Sequence, residues 1–141
     1  VSARIGGVEI KGSEAIFAVV EQGASGLAHV PVTLKKIALD DDDVGANVKA
    51  FSAQVAAFVA EQGLTLLAIK KRGKKGEFAG GPTTFKIEGV LQLLEGCEVV
   101  LVSPQTISAQ AKKLGGELPG TLNKYQHEAY KAGCAVLLKG R

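Results

Sequence analysis

The chain has 141 residues, a formal net charge of +3, 46% apolar and 22% charged side chains. That length suits one hydrophobic core, no stretch reaches the roughly 20 apolar residues of a membrane span, and no charged-then-apolar leader pattern opens the chain. A single domain over residues 1–141 with no membrane partner is expected. The chain opens on Val1 and has no methionine, so its first residues carry no part of the reading.

Ala3 to Lys11 alternates weakly, and Glu14 to Gln22 contains Ala-Ile-Phe-Ala-Val-Val, a run rich in β formers. Lys11-Gly12-Ser13 between them is a turn signal, so an antiparallel hairpin is expected. After a turn at Gly23 to Gly26, His29 to Leu39 reads as a third, weaker strand with Pro31 at its start or edge. Asp40 to Asp43 resembles a metal site only superficially. Acids favour helix N-termini, and Val44, Val48, Phe51, Val55, Phe58 and Val59 then form a helical stripe that stops at Gly63.

Leu64 to Ile69 reads as a buried strand. A glycine-rich basic loop follows, with Lys70, Lys71, Arg72, Lys74 and Lys75. Without those five cations the chain would be near neutral or slightly acidic, so the charge is a local patch. Glycine lets backbone N–H groups approach a ligand, and a helix start presents unpaired N–H groups. An anionic partner, nucleic-acid phosphate first, is the functional reading, and a solvated flexible loop is the bland one.

Pro82 fits the first position of a second helix, with Ile87, Val90, Leu91 and Leu94 on its apolar face. Cys97 to Val102 reads as another buried strand, Pro104 to about Leu114 as a helix, and Leu122 to Leu138 as the last helix. The order predicts an α/β fold: a five-stranded mixed sheet, with the three antiparallel strands first and helices on both faces. Cys97 and Cys134 are far apart and lack C-x-x-C spacing. Two buried free thiols in a reducing compartment, the cytoplasm, are expected.

This order resembles that of the ribonuclease H-like superfamily. Gly7-Val8-Glu9-Ile10-Lys11-Gly12 resembles its first-strand motif of a glycine, an aliphatic residue and an acid. Gln126-His127-Glu128-Ala129-Tyr130-Lys131-Ala132 resembles the last-helix motif of Holliday-junction resolvases, and Val102-Ser103-Pro104-Gln105-Thr106-Ile107 resembles their strand-to-helix step. Lys74 to Gly81, a KKGxFAGG loop, with Phe85-Lys86-Ile87-Glu88 resembles a small uncharacterised family of bacterial proteins in the same superfamily.

The resemblance implies metal-dependent phosphodiester hydrolysis with Mg2+ or Mn2+ held by carboxylates. Glu9 and Glu128 are the implied metal ligands and catalytic residues, with Glu88 or Glu77 as a third. The resemblance also implies a homodimer. An acid between Val8 and Ile10 on a central strand is costly to bury unless paired or metal-bound, which supports Glu9 independently. Its bland alternative is a place at the sheet's rim or a lysine partner. His127 points about 100° away from Glu128 on a helix and reads as a surface residue first and a phosphate contact second. His29 reads as structural.

One departure weakens the nuclease reading. Resolvase-like enzymes carry an acid at the end of the fourth strand, where this chain has Lys70 and Lys71. An ammonium there repels a divalent cation and neutralises Glu9. The sequence therefore leaves open a resolvase-type nuclease and, with Lys71 read as replacing that acid, a non-catalytic nucleic-acid- or phosphate-binding module. It also leaves a nucleotide binder, although Gly73-Lys74-Lys75-Gly76 lacks P-loop spacing, and a scaffold that has kept only the fold.

Overall fold

The computed structural model describes residues 3–75, 80–115 and 118–139. Strand β1 (Ala3–Lys11) pairs antiparallel with β2 (Glu14–Gly23), from Ala3 opposite Gln22 to Lys11 opposite Glu14. The turn between them uses Gly12 at φ 61°, a conformation glycine adopts without a Cβ penalty. Strand β3 (Gly26–Val30) pairs antiparallel with β2, and the short β4 (Lys36–Ala38) pairs with β2 further along the same edge.

Among the described residues the sheet thus has six strands where five were expected. The expected third strand is broken in two. Pro31 has no N–H to give a ladder, and the chain leaves the edge until Lys35, whose carbonyl accepts from the Phe17 N–H at 2.8 Å. The remaining strands, β5 (Leu66–Lys70) and β6 (Glu98–Val102), are parallel to β1, giving the path β3-β2-β1-β5-β6.

Helix α1 (Gly45–Gln62) ends at Gly63, whose φ of 66° makes a left-handed stop as the sequence predicts. Its start differs from expectation. Val44 is the N-cap, with no side-chain cap, and the Asp40 to Asp43 run lies ahead of the helix. Asp41 orders that run locally by accepting the Asp43 N–H on its side chain. Helix α2 (Pro82–Gln92) begins on Pro82, and α3 (Pro104–Ala111) is capped by Ser103, whose hydroxyl accepts the Thr106 N–H. A 3-10 turn, Lys112–Leu114, follows α3, and another, Lys124–Gln126, leads into α4 (His127–Lys139).

Two apolar layers enclose the sheet. On one face Val8, Ile10, Phe17 and Val19 pack with Phe51, Val55, Phe58, Ile87 and Leu91 of α1 and α2. On the other, Ile16, Ala18, Val20, Leu66 and Ala68 pack with Ile107 of α3 and with Ala129, Tyr130 and Ala132 of α4. Alternation along β1 sends Val8 and Ile10 toward α1 and α2, and so turns Gly7 and Glu9 toward α4. Cys134 is buried as expected, whereas Cys97 is only half-buried, because it lies on the loop before β6. Among the described residues no helix is long and apolar enough to cross a membrane.

Candidate nucleic-acid interface and carboxylate centre

Helix α4 lies directly on the backbone of β1. A side chain at Gly7 would meet the Ala129 carbonyl oxygen and the Gly133 N–H, and one at Gly133 would meet Val20 and the Gly7 backbone. The approach is open only to glycine at position 7. Gln126, fully buried, fixes where α4 starts: its Nε2 donates to the Phe17 carbonyl at 2.9 Å and its Oε1 accepts the Asn123 N–H at 2.9 Å.

With α4 set in this way, Glu128 comes to the end of β5 beside Glu9. Lys70, the last residue of β5, lies between them. Its Nζ donates to Glu128 Oε1 at 2.8 Å and stands 4.0 Å from Glu9 Oε2. Lys131, one turn along α4, donates to Glu128 Oε2 at 3.1 Å. Burial raises the Glu128 carboxyl pKa, but the hydrogen bonds and charges of Lys70 and Lys131 outweigh it and hold the group below its ordinary value. Glu9 is 8% exposed. The two carboxylates and two ammonium groups form one compensated cluster.

The structure brings Glu9 and Glu128 together through Lys70, and does not bring Glu88 to them. Glu88 sits on α2, whose neighbours Ile87 and Leu91 pack on the opposite face of the sheet. It is buried, and its Oε2 has no hydrogen-bond partner among the described residues. Glu77 and Phe78 lie outside the described residues. The lysine that fills the centre is Lys70 rather than Lys71. Lys71 is exposed, and its backbone N–H donates to the Val102 carbonyl at 2.8 Å, which pins the basic loop to the end of β6. Sequence reasoning also missed Lys131; its signal was the three-residue spacing from Glu128, which puts both on one helical face.

Past Lys71 the loop curls back, and Gly80 N–H donates to the Gly73 carbonyl at 2.9 Å. Lys71, Arg72, Lys74 and Lys75 line a groove of about 470 Å³ whose other wall is the start of α3, Ser103 to Gln105. None of these four cations forms an ion pair among the described residues. The Nε of Arg72 is buried without a partner. Uncompensated cations along one channel, next to a helix start, suit a chain of phosphates.

His29 makes a structural contact: its Nδ1 is 2.7 Å from Thr121 Oγ1, and its ring meets Tyr130 edge-on. Burial first, and the charge of Lys35 second, lower its pKa. His127, at the start of α4, is half-buried.

Solved structures similar to this chain include RuvC of Thermus thermophilus, with a TM-score of 0.75 at 10% identity over 98% of this chain and 95% of that one. The same organism's RuvC in complex with a Holliday junction substrate gives a TM-score of 0.67 at 13% identity, over 99% and 95% of the two chains. The yeast mitochondrial Holliday junction resolvase Ydc2 gives 0.51 at 12% identity, over 98% and 78%. The likeness shows that the fold is ribonuclease H-like. No curated protein matches the chain by sequence.

The divalent cation that the resemblance implies does not fit the donor set present. Both oxygens of Glu128 already accept from ammonium groups, and Glu9 has one of the same ammoniums beside it. Among the described residues no group of three His, Cys, Asp or Glu side chains is placed to hold a metal ion. Two unit charges 4 Å apart interact by about 4 kcal/mol at an effective dielectric of about 20, and about twice that for a divalent ion facing an ammonium. Lys70 therefore opposes the ion more than it leaves room for it. The family model described as "Protein of unknown function (DUF3010)" matches residues 3–136, and the chain belongs to that family.

Proposed function

We propose that this protein binds nucleic acid through the groove between the basic loop and α3, as a ribonuclease H-like module that holds its partner without cutting it. The observation that carries the reading is that Lys71, Arg72, Lys74 and Lys75 line one channel and form no ion pair among the described residues. Cations matched to acids would be a solvated face; these have no acidic partner among the described residues. Few aromatics accompany them, so contacts run to phosphates rather than to stacked bases. The structural likeness to RuvC bound to a Holliday junction substrate supports branched DNA as the first partner to test. The reading treats the chain as a single cytoplasmic domain, in keeping with the free thiols Cys97 and Cys134, and as a relative of the bacterial proteins with the KKGxFAGG loop.

Fluorescence anisotropy with four-way junction, duplex and single-stranded DNA or RNA over a salt series tests it. Log affinity is expected to fall with log salt at roughly −0.7 to −0.9 per phosphate neutralised. Replacing Lys71, Arg72, Lys74 and Lys75 together by Glu is expected to abolish binding. Absence of binding at low salt, or equal binding by the quadruple variant, overturns the reading.

The convergence of Glu9 and Glu128 favours a second reading, hydrolysis of structured nucleic acid with Mg2+ or Mn2+. Its donor set is the one described above, closed by Lys70 and Lys131, and Glu88 stands on the other layer. Cleavage assays on branched and single-stranded substrates with either ion separate the readings: turnover that Glu9→Gln removes supports hydrolysis.

A further inference from the structure

The carboxylate centre has a property that is independent of what the basic groove binds. Three elements meet there. Glu9 comes from β1, Lys70 from the end of β5 and Glu128 from α4. Lys70 Nζ is 2.8 Å from one Glu128 oxygen and 4.0 Å from Glu9, and Lys131 Nζ is 3.1 Å from the other Glu128 oxygen. Two negative and two positive charges cancel within the cluster. Every oxygen of Glu128 that would face a cation already faces an ammonium.

We infer that Lys70 is a built-in counter-ion standing in place of a divalent cation, so that the centre refuses magnesium and manganese and is converted into a divalent-cation site by the single change Lys70→Glu. An ammonium on a tether does electrostatically what a metal ion would do between these carboxylates: it lets two acids on different elements approach without repulsion. It supplies no Lewis acidity and no bound water, so it performs the structural part of a metal's role and omits the chemical part. Lys131 remains in the variant as a cation on the outer oxygen of Glu128, and removing it as well is expected to tighten the new site.

Because the cluster joins β1, β5 and α4, the ammonium also ties α4 to the sheet in the absence of any metal. The inference stands even if the chain binds no nucleic acid, and binding through the basic groove stands even if this one fails.

The test is a manganese titration that counts free Mn2+ by its solution spin-resonance signal, with thermal melting in parallel. Wild type is expected to leave the Mn2+ signal undiminished and its melting temperature unmoved by millimolar Mn2+. Lys70→Glu is expected to bind Mn2+ at least about tenfold more tightly than wild type and to melt higher when the ion is present. Lys70→Glu/Lys131→Gln is expected to bind more tightly again. Stoichiometric Mn2+ binding by wild type that Glu9→Gln abolishes overturns the inference without recourse to any lysine variant. A Lys70→Glu protein with native circular dichroism and no gain in Mn2+ affinity overturns it as well.

Discussion

Gly7 and Ala129 are in direct backbone contact: a Cβ on Gly7 would overlap the Ala129 carbonyl oxygen. No side-chain adjustment relieves an overlap with main chain, so any larger residue must lift α4 from the sheet. Glu128 precedes Ala129 and would move with it. Gly7→Ala is therefore expected to destabilise the fold by about 3 kcal/mol, the upper part of the usual overpacking range. Gly133→Ala is the control. Its nearest obstacle is the Val20 Cγ2 at 2.9 Å, a side-chain atom that can shift. The better helix propensity of alanine, worth about 1 kcal/mol, offsets part of the crowding. Urea midpoints at unchanged slope measure both; equal losses in the two variants would contradict the close approach at Gly7.

His29 predicts a neutral-range pH dependence. Its folded pKa lies below the ordinary 6.5, through burial and then the charge of Lys35. Between those two values the unfolded chain binds more protons than the folded one, so stability rises with pH there. The contribution is fully present above 6.5 and is lost as pH falls below it. His29→Gln keeps a polar partner for Thr121 and does not titrate. Its urea midpoint is expected to vary less than that of wild type from about pH 7 to about pH 5. Parallel curves for the two proteins would remove His29 from the effect.

Glu128 predicts a second loss in acid. Its folded pKa is held below the ordinary 4.5 because Lys70 and Lys131 outweigh the desolvation that raises it. The stability it contributes is present above the unfolded value and disappears as pH falls through the folded one. Glu128→Gln is expected to be less stable than wild type at about pH 7 and to approach it at about pH 3. Denaturation at the two pH values checks this. A deficit that stays the same in acid would mean that the charge on Glu128 is not what holds the cluster.

Much of the architecture was legible along the chain because it rests on short periods. The apolar run Ala15 to Val20 and its turn at Gly12 specify the β1–β2 hairpin, and the stripe Phe51, Val55, Phe58 with Gly63 specifies α1. Pro82 and Pro104 mark the starts of α2 and α3. The break between β3 and β4 was hinted at by Pro31. Its extent was not, since it depends on which carbonyl the Phe17 N–H finds.

The candidate site was legible only as a list of residue types. Composition and order by themselves determined that a basic loop follows the fourth long strand, that an acid interrupts an apolar run at Glu9, and that another acid rides the last helix at Glu128. Only the tertiary structure decided that Lys70 and not Lys71 turns toward those acids, that Lys131 joins them, and that Glu88 is on the far layer. The physical reason is that side-chain direction in a strand reverses with every residue, while the sequence gives strand ends only to within a residue or two. Whether a lysine neutralises a centre or faces solvent is fixed by that one-residue register, and the register is set by contacts between β1, β5 and α4 that are remote along the chain.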